Sequence, residues 1–442
     1  MGLKEILDNA DKSIEENREL ALKHGKLQES IDNLLALEKQ TRLAEDLAGT
    51  TLFANAIVRL CFDCADWKQL NNQLVVLSKR RAQLKQVIVK FVQEAMTYLD
   101  KTPDHETKLQ LIDTLRTITA GKIYVENERA RLTRMLAKIK EDDGNVAEAA
   151  EIMQEVQVET FGTMEKREKV DFLLEQVRLL LDRNDYIRAQ IISKKISPKF
   201  LADPEVQDLK VRNHRLMIRY YAHNNSYLDM AKSYHAIYST PNVQADRAQW
   251  IDELEHVAVL LVLAPYDNEQ SDFLNRVYED KKLAELDDYK KLLKYFLTPE
   301  LVRWPILEGI YRPILMKSNL FEGETNAKQR WGDFNKRVVE HNIRVIGKYY
   351  SRISSARLSQ LLDLSPEDTE QNVRDMVVAK TLYARIDRPS GVISFVKPKQ
   401  PAELLNEWSS NIGNLLNLVE SSCHLIHKEI MVYQATHPSA SA

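Results

Sequence analysis

A short mark recurs along the first two-thirds of this chain at a period near forty, and few folds can satisfy such a period. Each mark is a turn of small or polar residues, usually followed by an aromatic or branched one. They are His24-Gly25-Lys26-Leu27, Ala65-Asp66-Trp67, Thr102-Pro103-Asp104, Gly144-Asn145-Val146, Asn184-Asp185-Tyr186, Asn225-Ser226-Tyr227 and Pro265-Tyr266-Asp267. Taken at 25, 66, 104, 144, 185, 226 and 267, the spacings are 41, 38, 40, 41, 41 and 41. Helical patterning fills the intervals, so the period describes stacked helix pairs. Ala149, Ala189 and Ala231 fall four or five residues after a mark, where a small side chain lets neighbouring helices close up.

One helix pair cannot bury its apolar face alone, whereas a stack can. The expected fold of this part is therefore an all-α solenoid of tetratricopeptide-like pairs, a curved rod whose long surface holds partners. Gly 12 and Pro 13 in 442 residues are both sparse, which fits long helices and argues against a sheet-rich or disordered chain.

The period changes once, over 339–397. Val339, Ile343, Ile346, Tyr350 and Ile353 step by three and four along one helix face. A second short helix carries Leu358, Leu361 and Leu362. Ser365, Pro366, Glu367 and Asp368 then spell a helix start, and that third helix turns Val373, Met376 and Val377 inward. After Lys380 the period falls to two: Leu382, Ala384 and Ile386 alternate with Tyr383, Arg385 and Asp387. A Pro389-Ser390-Gly391 turn leads into a second β-rich run at 392–396. Three short helices closed by a β-hairpin describe a winged helix.

Between 301 and 335, Trp304-Pro305, Pro313 and Trp331 mark a connecting region broken by loops such as Glu322-Gly323-Glu324. Beyond Pro398 and Pro401 one long helix is expected over 402–434. Leu405, Ile412, Val419, Ile426 and Tyr433 stand seven apart, with Trp408, Leu415, Ser422 and Glu429 on the other seam and Leu416, Cys423 and Ile430 on one flank. A sustained heptad wants partner helices, and the winged helix is too small to supply them. Leu405, Trp408, Ile412, Leu415, Val419 and Ile426 are its candidate partner contacts. A frayed tail is expected over 435–442.

Catalytic chemistry finds no cradle in this sequence. No P-loop, G-x-G-x-x-G or H-E-x-x-H occurs. Cys61 and Cys64 form a C-x-x-C, but no second pair completes a zinc site, and they read as buried thiols of an apolar helix. His424 and His427 lack a carboxylate partner pattern, and their helix is committed to packing. His341-Asn342 suits capping or interhelical hydrogen bonds. No catalytic, cofactor-binding or metal-binding residue is expected, and the chain reads as no enzyme.

Membranes and nucleic acid fare no better. The longest apolar run, 257–264, is too short to span a bilayer and suits a buried helix. The first twenty residues are too charged for a signal peptide, and after Gly2 an Ile6 stands where a myristoylation site wants Ser or Thr. With three cysteines, 29% charged residues and a net charge of −3, the expectation is a soluble intracellular protein. The third winged-helix helix sets Glu367, Asp368, Glu370 and Asp375 against only Arg374 and Lys380, the wrong sign for a groove-reading helix. Arg385 and Arg388 are the hairpin's only nearby cations. Protein docking is the better use, with the exposed hairpin edge pairing with a neighbour's strand. Tyr383, Arg385, Val392, Ser394 and Val396 are the candidate contacts there.

A helical-repeat solenoid running into a winged helix and a terminal helix resembles the PCI family, shared by the proteasome lid, the signalosome and a translation-initiation complex. Five segments are similar to those of one proteasome lid subunit: 155–162 (EVQVETFG), 303–305 (RWP), 341–346 (HNIRVI), 349–353 (YYSRI) and 404–409 (LLNEWS). The resemblance covers essentially the whole chain. It implies a non-catalytic scaffold of the regulatory particle, in cytoplasm and nucleus, supporting ubiquitin-dependent degradation. It implies as partners the other PCI lid subunits and the deubiquitinase-type subunits, with the ATPase ring or core particle as further contacts. No cofactor, nucleic acid, membrane or homo-oligomer is implied. The expected division is a solenoid over 1–225, a PCI domain over 226–398 (helical part 226–337, winged helix 338–398), a bundle helix over 399–434 and the tail. Alternatives are the equivalent signalosome subunit, a nucleic-acid-binding PCI export factor, and a redox or metal enzyme built on Cys61 and Cys64.

Overall fold

The computed structural model describes residues 10–24, 26–321 and 323–436. Gly2, Ile6, Gly25 of the first mark, Glu322 of the expected loop and 437–442 of the expected tail lie outside the described residues. The chain divides into two compact units, 1–257 and 258–442.

Helices in the first unit are α1 (Ala10–His24), α2 (Leu27–Leu43), α3 (Leu47–Asp63), α4 (Trp67–Lys79), α5 (Lys85–Thr97), α6 (His105–Thr119), α7 (Glu126–Asp142) and α8 (Val146–Gln154). They continue with α9 (Lys166–Asp182), α10 (Tyr186–Ser193), α11 (Pro198–Leu201), α12 (Gln207–His223), α13 (Tyr227–Tyr238), α14 (Pro241–Ala245) and α15 (Arg247–Leu263), inside which the division falls. Four of the sequence marks, at 66, 144, 185 and 226, are turns within helix pairs. At Ala65, Gly144, Asn184 and Asn225 the backbone is left-handed, with φ of 53°, 87°, 66° and 52°. The next residue then bonds back across the turn: Asp66 N–H to Cys61 O at 3.2 Å, Asn145 to Lys140 and Asp185 to Leu180 at 2.9 Å, Ser226 to Tyr221 at 3.1 Å. This is a Schellman closure, which satisfies the last carbonyls of one helix while its final residue caps the next. The caps at Asp66 and Asp185 use their carboxylates on the N–H groups of Gln69 and Arg188. The marks at Asp104 and Asp267 start α6 and the helix over Asn268–Tyr278 without a left-handed residue.

Ala149, Ala189 and Ala231 are all buried, on α8, α10 and α13, as close helix approach requires. Polar bonds add register. Arg131, Arg134 and Glu141 of α7 pair with Glu168, Asp171 and Arg178 of α9; Asp171, Glu175 and Asp182 of α9 pair with Arg212 and Arg219 of α12. Every one of these pairs is 37 or 41 residues apart. The repeat period is thus written a second time, in ions, along the first helices of successive pairs.

The 257–264 run at the end of α15 is buried as expected. There follow α16 (Asn268–Tyr278), α17 (Asp287–Leu297), α18 (Trp304–Leu315), α19 (Glu324–Tyr349), α20 (Ser355–Leu362), α21 (Pro366–Val378) and α22 (Pro401–Thr436). The strands are β1 (Arg352–Ser354), β2 (Arg385–Asp387) and β3 (Val392–Ser394), an antiparallel sheet in the order β1-β3-β2. Trp304, Trp331 and Phe334 gather with ring centroids 5.4–5.5 Å apart and fasten α18 to α19. Among the described residues, no helix is long and apolar enough to cross a membrane.

Candidate functional site

The winged helix forms around one small core. Ser365 Oγ accepts the Asp368 N–H at 3.1 Å and Pro366 opens α21, so the start signal works as written. Leu358, Leu362, Val373 and Met376 are buried with Val339, Ile343 and Ile346, while Leu361 and Val377 pack at the margin. The first helix departs from expectation at its end. It stops at Tyr349, Tyr350 is extended, and Ile353 lies in β1. The physical reason is the next helix: Ser354 must be extended to cap α20, accepting the Arg357 N–H at 3.4 Å. Ile353 is buried in either geometry, so its spacing could not tell them apart.

A second expectation is corrected in the sheet. The run carrying Val392 and Ser394 is the central strand, not the edge, because β1 pairs with it on one side and β2 on the other. Ser355 N–H bonds Gly391 O at 2.8 Å and Phe395 N–H bonds Ser351 O at 3.0 Å. Antiparallel bonding alternates residue by residue. Ile393 therefore bonds towards β1, Val392 and Ser394 bond towards β2, and the backbone of Ile386 points out of the sheet. The outer side of β2 is where a neighbour's strand can add. Arg385 is exposed on that strand, Tyr383 (39%) precedes it, and Val396 (57%) follows β3. Arg388 of the wing is already bound to Glu370 of α21, at 2.5 and 3.0 Å. The third helix thus neutralises one of the two cations that a phosphate backbone would use.

Of the other singled-out residues, Cys61 is buried in α3 and its thiol is pushed up to about 12, by burial first and then by Asp66 and Cys64. Cys64 is half-buried and caps the same helix, so only one of the two is a core thiol. His341 and Asn342 are buried and turn to the backbone of the 300–302 segment. Burial, then the charge of Arg344, lowers the His341 imidazole to about 4. Among the described residues, no group of three or more His, Cys, Asp or Glu is placed to hold a metal ion.

The terminal helix α22 is 36 residues long, about 54 Å at 1.5 Å per residue, and buries none of them. Leu405, Trp408, Ile412, Leu415, Val419 and Ile426 are between 52% and 69% exposed. Sequence reasoning missed a further column beside them: Leu404, Leu418, Leu425 and Val432, also exposed and seven or fourteen apart. With the Leu416 and Ile430 flank, the apolar arc covers about 200° at 100° per residue. A two-stranded coiled coil needs a narrower seam, so this arc suits several partner helices at once. Counting apolar residues at all seven heptad positions would have found the extra column.

Three family models match successive stretches of the chain: the PSMD12/CSN4 N-terminal model over 29–246, the PCI domain over 300–397 and the 26S proteasome regulatory subunit RPN5 C-terminal domain over 402–434. The chain is 50% identical over 425 residues to the 26S proteasome non-ATPase regulatory subunit 12 of Dictyostelium discoideum, covering 96% of this chain and 94% of that one. It is 50% identical over 434 residues to homolog A of the same subunit from Arabidopsis thaliana, covering 93% and 98%. Similarity to the COP9 signalosome complex subunit 4 of Drosophila melanogaster is 24% over 326 residues, covering 73% and 76%.

Proposed function

The chain belongs to the family of the 26S proteasome non-ATPase regulatory subunit 12, and on that premise we propose that it is a non-catalytic scaffold of the proteasome lid. Its work is geometric. The helix pairs of 1–225 reach outward, the PCI domain of 226–398 docks on neighbouring PCI subunits, and the helix over 399–434 registers the subunit in a bundle. The deubiquitinase-type subunits contribute helices to that bundle, and the ATPase ring or core particle adds further contacts. Ubiquitin-dependent degradation depends on this positioning, in cytoplasm and nucleus. The signalosome reading is weaker, since identity there is half that to the proteasome relatives.

The observation that carries the proposal is the uncovered arc of α22. Burying one large apolar side chain is worth roughly 1.5–3 kcal/mol. The helix's own hydrogen bonds offset most of its ordering cost, and the burial of Leu405, Trp408, Ile412, Leu415, Val419 and Ile426 then favours docking once other subunits supply the facing surfaces. The outer side of β2, with Tyr383, Arg385 and Val396 nearby, is the proposed second contact; Val392 and Ser394 act there by holding β2 in place.

Changing Ile412 and Val419 together to Asp tests this. Neither is buried within the chain, so the rest of the fold stands, while two charges cannot be solvated inside a bundle. Assembly from the altered chain and wild-type partners, read on native gels, should stop short of the complete lid. Normal incorporation would overturn the scaffold reading of α22.

A further inference from the structure

A cavity of about 30 Å³ lies inside the second unit, between the end of α15, α16, α17 and α19. It has room for one water-sized particle. Arg344 of α19 lines it and is half-buried, but its Nη1 is closed off from solvent and has no hydrogen-bond partner. Among the described residues, no hydrogen bond or ion pair engages this guanidinium. It lies instead over the Tyr266 ring, with Cζ 3.6 Å from the ring centroid. That contact holds the cation by its face, and the N–H donors in the guanidinium plane stay unused.

The neighbouring polar groups are already engaged. Arg337 Nη1 holds Glu340 Oε2 at 2.5 Å, and its Nε donates to the Leu263 carbonyl at 3.2 Å. The Gln270 amide donates to the Leu261 carbonyl at 2.7 Å. Glu340 is the only acid lining the cavity, so it balances Arg337 and leaves the charge of Arg344 over. Burial pulls the Arg344 guanidinium below its ordinary value, with Arg337 assisting and Tyr266 and Glu340 opposing. Val262, Leu274, Phe296 and Leu297 make the remaining walls apolar, where a charge interacts more strongly than in water.

We propose that this cavity binds one monatomic anion of the halide class, held by Arg344 Nη1 with the Ser271 hydroxyl beside it. A water would satisfy one N–H and leave the charge uncompensated, whereas a halide does both. Carboxylates and phosphates are too large for a space of one water. The site uses neither α22 nor the sheet edge, so it stands or falls apart from the scaffold reading.

Thermal melts of the full chain test it, with sodium chloride replacing sodium gluconate at constant ionic strength, so that screening is unchanged. Gluconate is too large to enter. The wild-type midpoint should rise saturably, by about 1–3 °C once chloride is near ten times its Kd. Bromide should act as chloride does, and Arg344→Met should show no saturable rise. A general effect of exchanging the two anions is linear and moves both chains alike. Should Arg344→Met fail to fold, the wild type provides the second readout: its Arg344 Nε–H resonance should shift as chloride saturates. No saturable rise in the wild type, or an unmoved Arg344 resonance, would leave a water there and overturn the site. An equal saturable rise in Arg344→Met would put the anion elsewhere and overturn it too.

Discussion

The side-chain amide of Asn342 pairs with both backbone groups of Val302: its Oδ1 accepts the Val302 N–H at 2.8 Å and its Nδ2 donates to the Val302 carbonyl at 2.7 Å. The two residues are forty apart and both buried. An extended segment without a strand partner has thus found one in a side chain, and its buried polar groups are satisfied. Replacing Asn342 by Ala should leave that donor and acceptor unpaired, at about 2–4 kcal/mol. Asp should do no better, since it keeps the acceptor, loses the donor and adds a buried charge. Hydrogen exchange at the Val302 amide checks this directly; unchanged protection in Asn342→Ala would refute it.

Arg178 grips Glu141 through two bonds of 2.6 Å and also holds Glu175 and Asp182. Burial pushes the Glu175 carboxyl up, but the hydrogen bonds and charges of Arg178 and Arg212 outweigh it and leave it below the ordinary range. A depressed carboxyl contributes stability that is present above its unfolded value, about 4.3, and lost as pH falls through the lower folded one. Arg178→Met should cost about 1–2 kcal/mol at neutral pH, discounted because the guanidinium is about a quarter exposed. The cost should shrink on acidification. Urea unfolding at neutral and acid pH reads both, and a pH-independent loss would mean that packing of the Arg178 stem, not charge, ties the repeats.

Glu253 of α15 behaves in the opposite way. Burial raises its carboxyl to about 7, with Arg215 opposing and Asp252 assisting, and its Oε2 has no partner. A carboxyl raised in the folded state binds more protons there than when unfolded, so stability falls as pH climbs from about 4.3 through 7. Glu253→Gln removes that penalty. Thermal melts should show it stabilised by about 1–3 kcal/mol at pH near 8 and hardly changed near pH 4. An equal gain at both values would refute the titration.

The sheet makes the fourth expectation specific. Ile386→Pro removes a donor that points outward and also trims a half-buried side chain packed on the winged-helix core, so Ile386→Ala serves as its control: the Pro variant alone should lose one neighbouring subunit in pull-downs. Ser394→Pro removes a donor bonded towards β2 and should instead unseat β2 and lower the melting midpoint. If Ile386→Pro keeps every neighbour at wild-type strength, edge pairing through β2 is wrong.

Much of this was legible in the sequence because the causes are local. A small or Asn residue that tolerates positive φ, followed by a cap, ends one helix and starts the next within six residues, so the marks at Ala65, Gly144, Asn184 and Asn225 declared the helix pairs. The Ser365-Pro366 start and the heptad of α22 are equally local, and that helix is uncovered because nothing within its chain was needed to form it. Tertiary structure alone decided the rest. Which strand lies in the middle depends on Ile353 reaching Ile393 across forty residues, and no periodicity around either residue encodes that meeting. Glu141 lies one repeat away from Arg178, and Glu175 one repeat away from Arg212. Spacing along a chain fixes which face a side chain takes on its own helix or strand; what stands opposite that face is set by packing between segments distant in sequence.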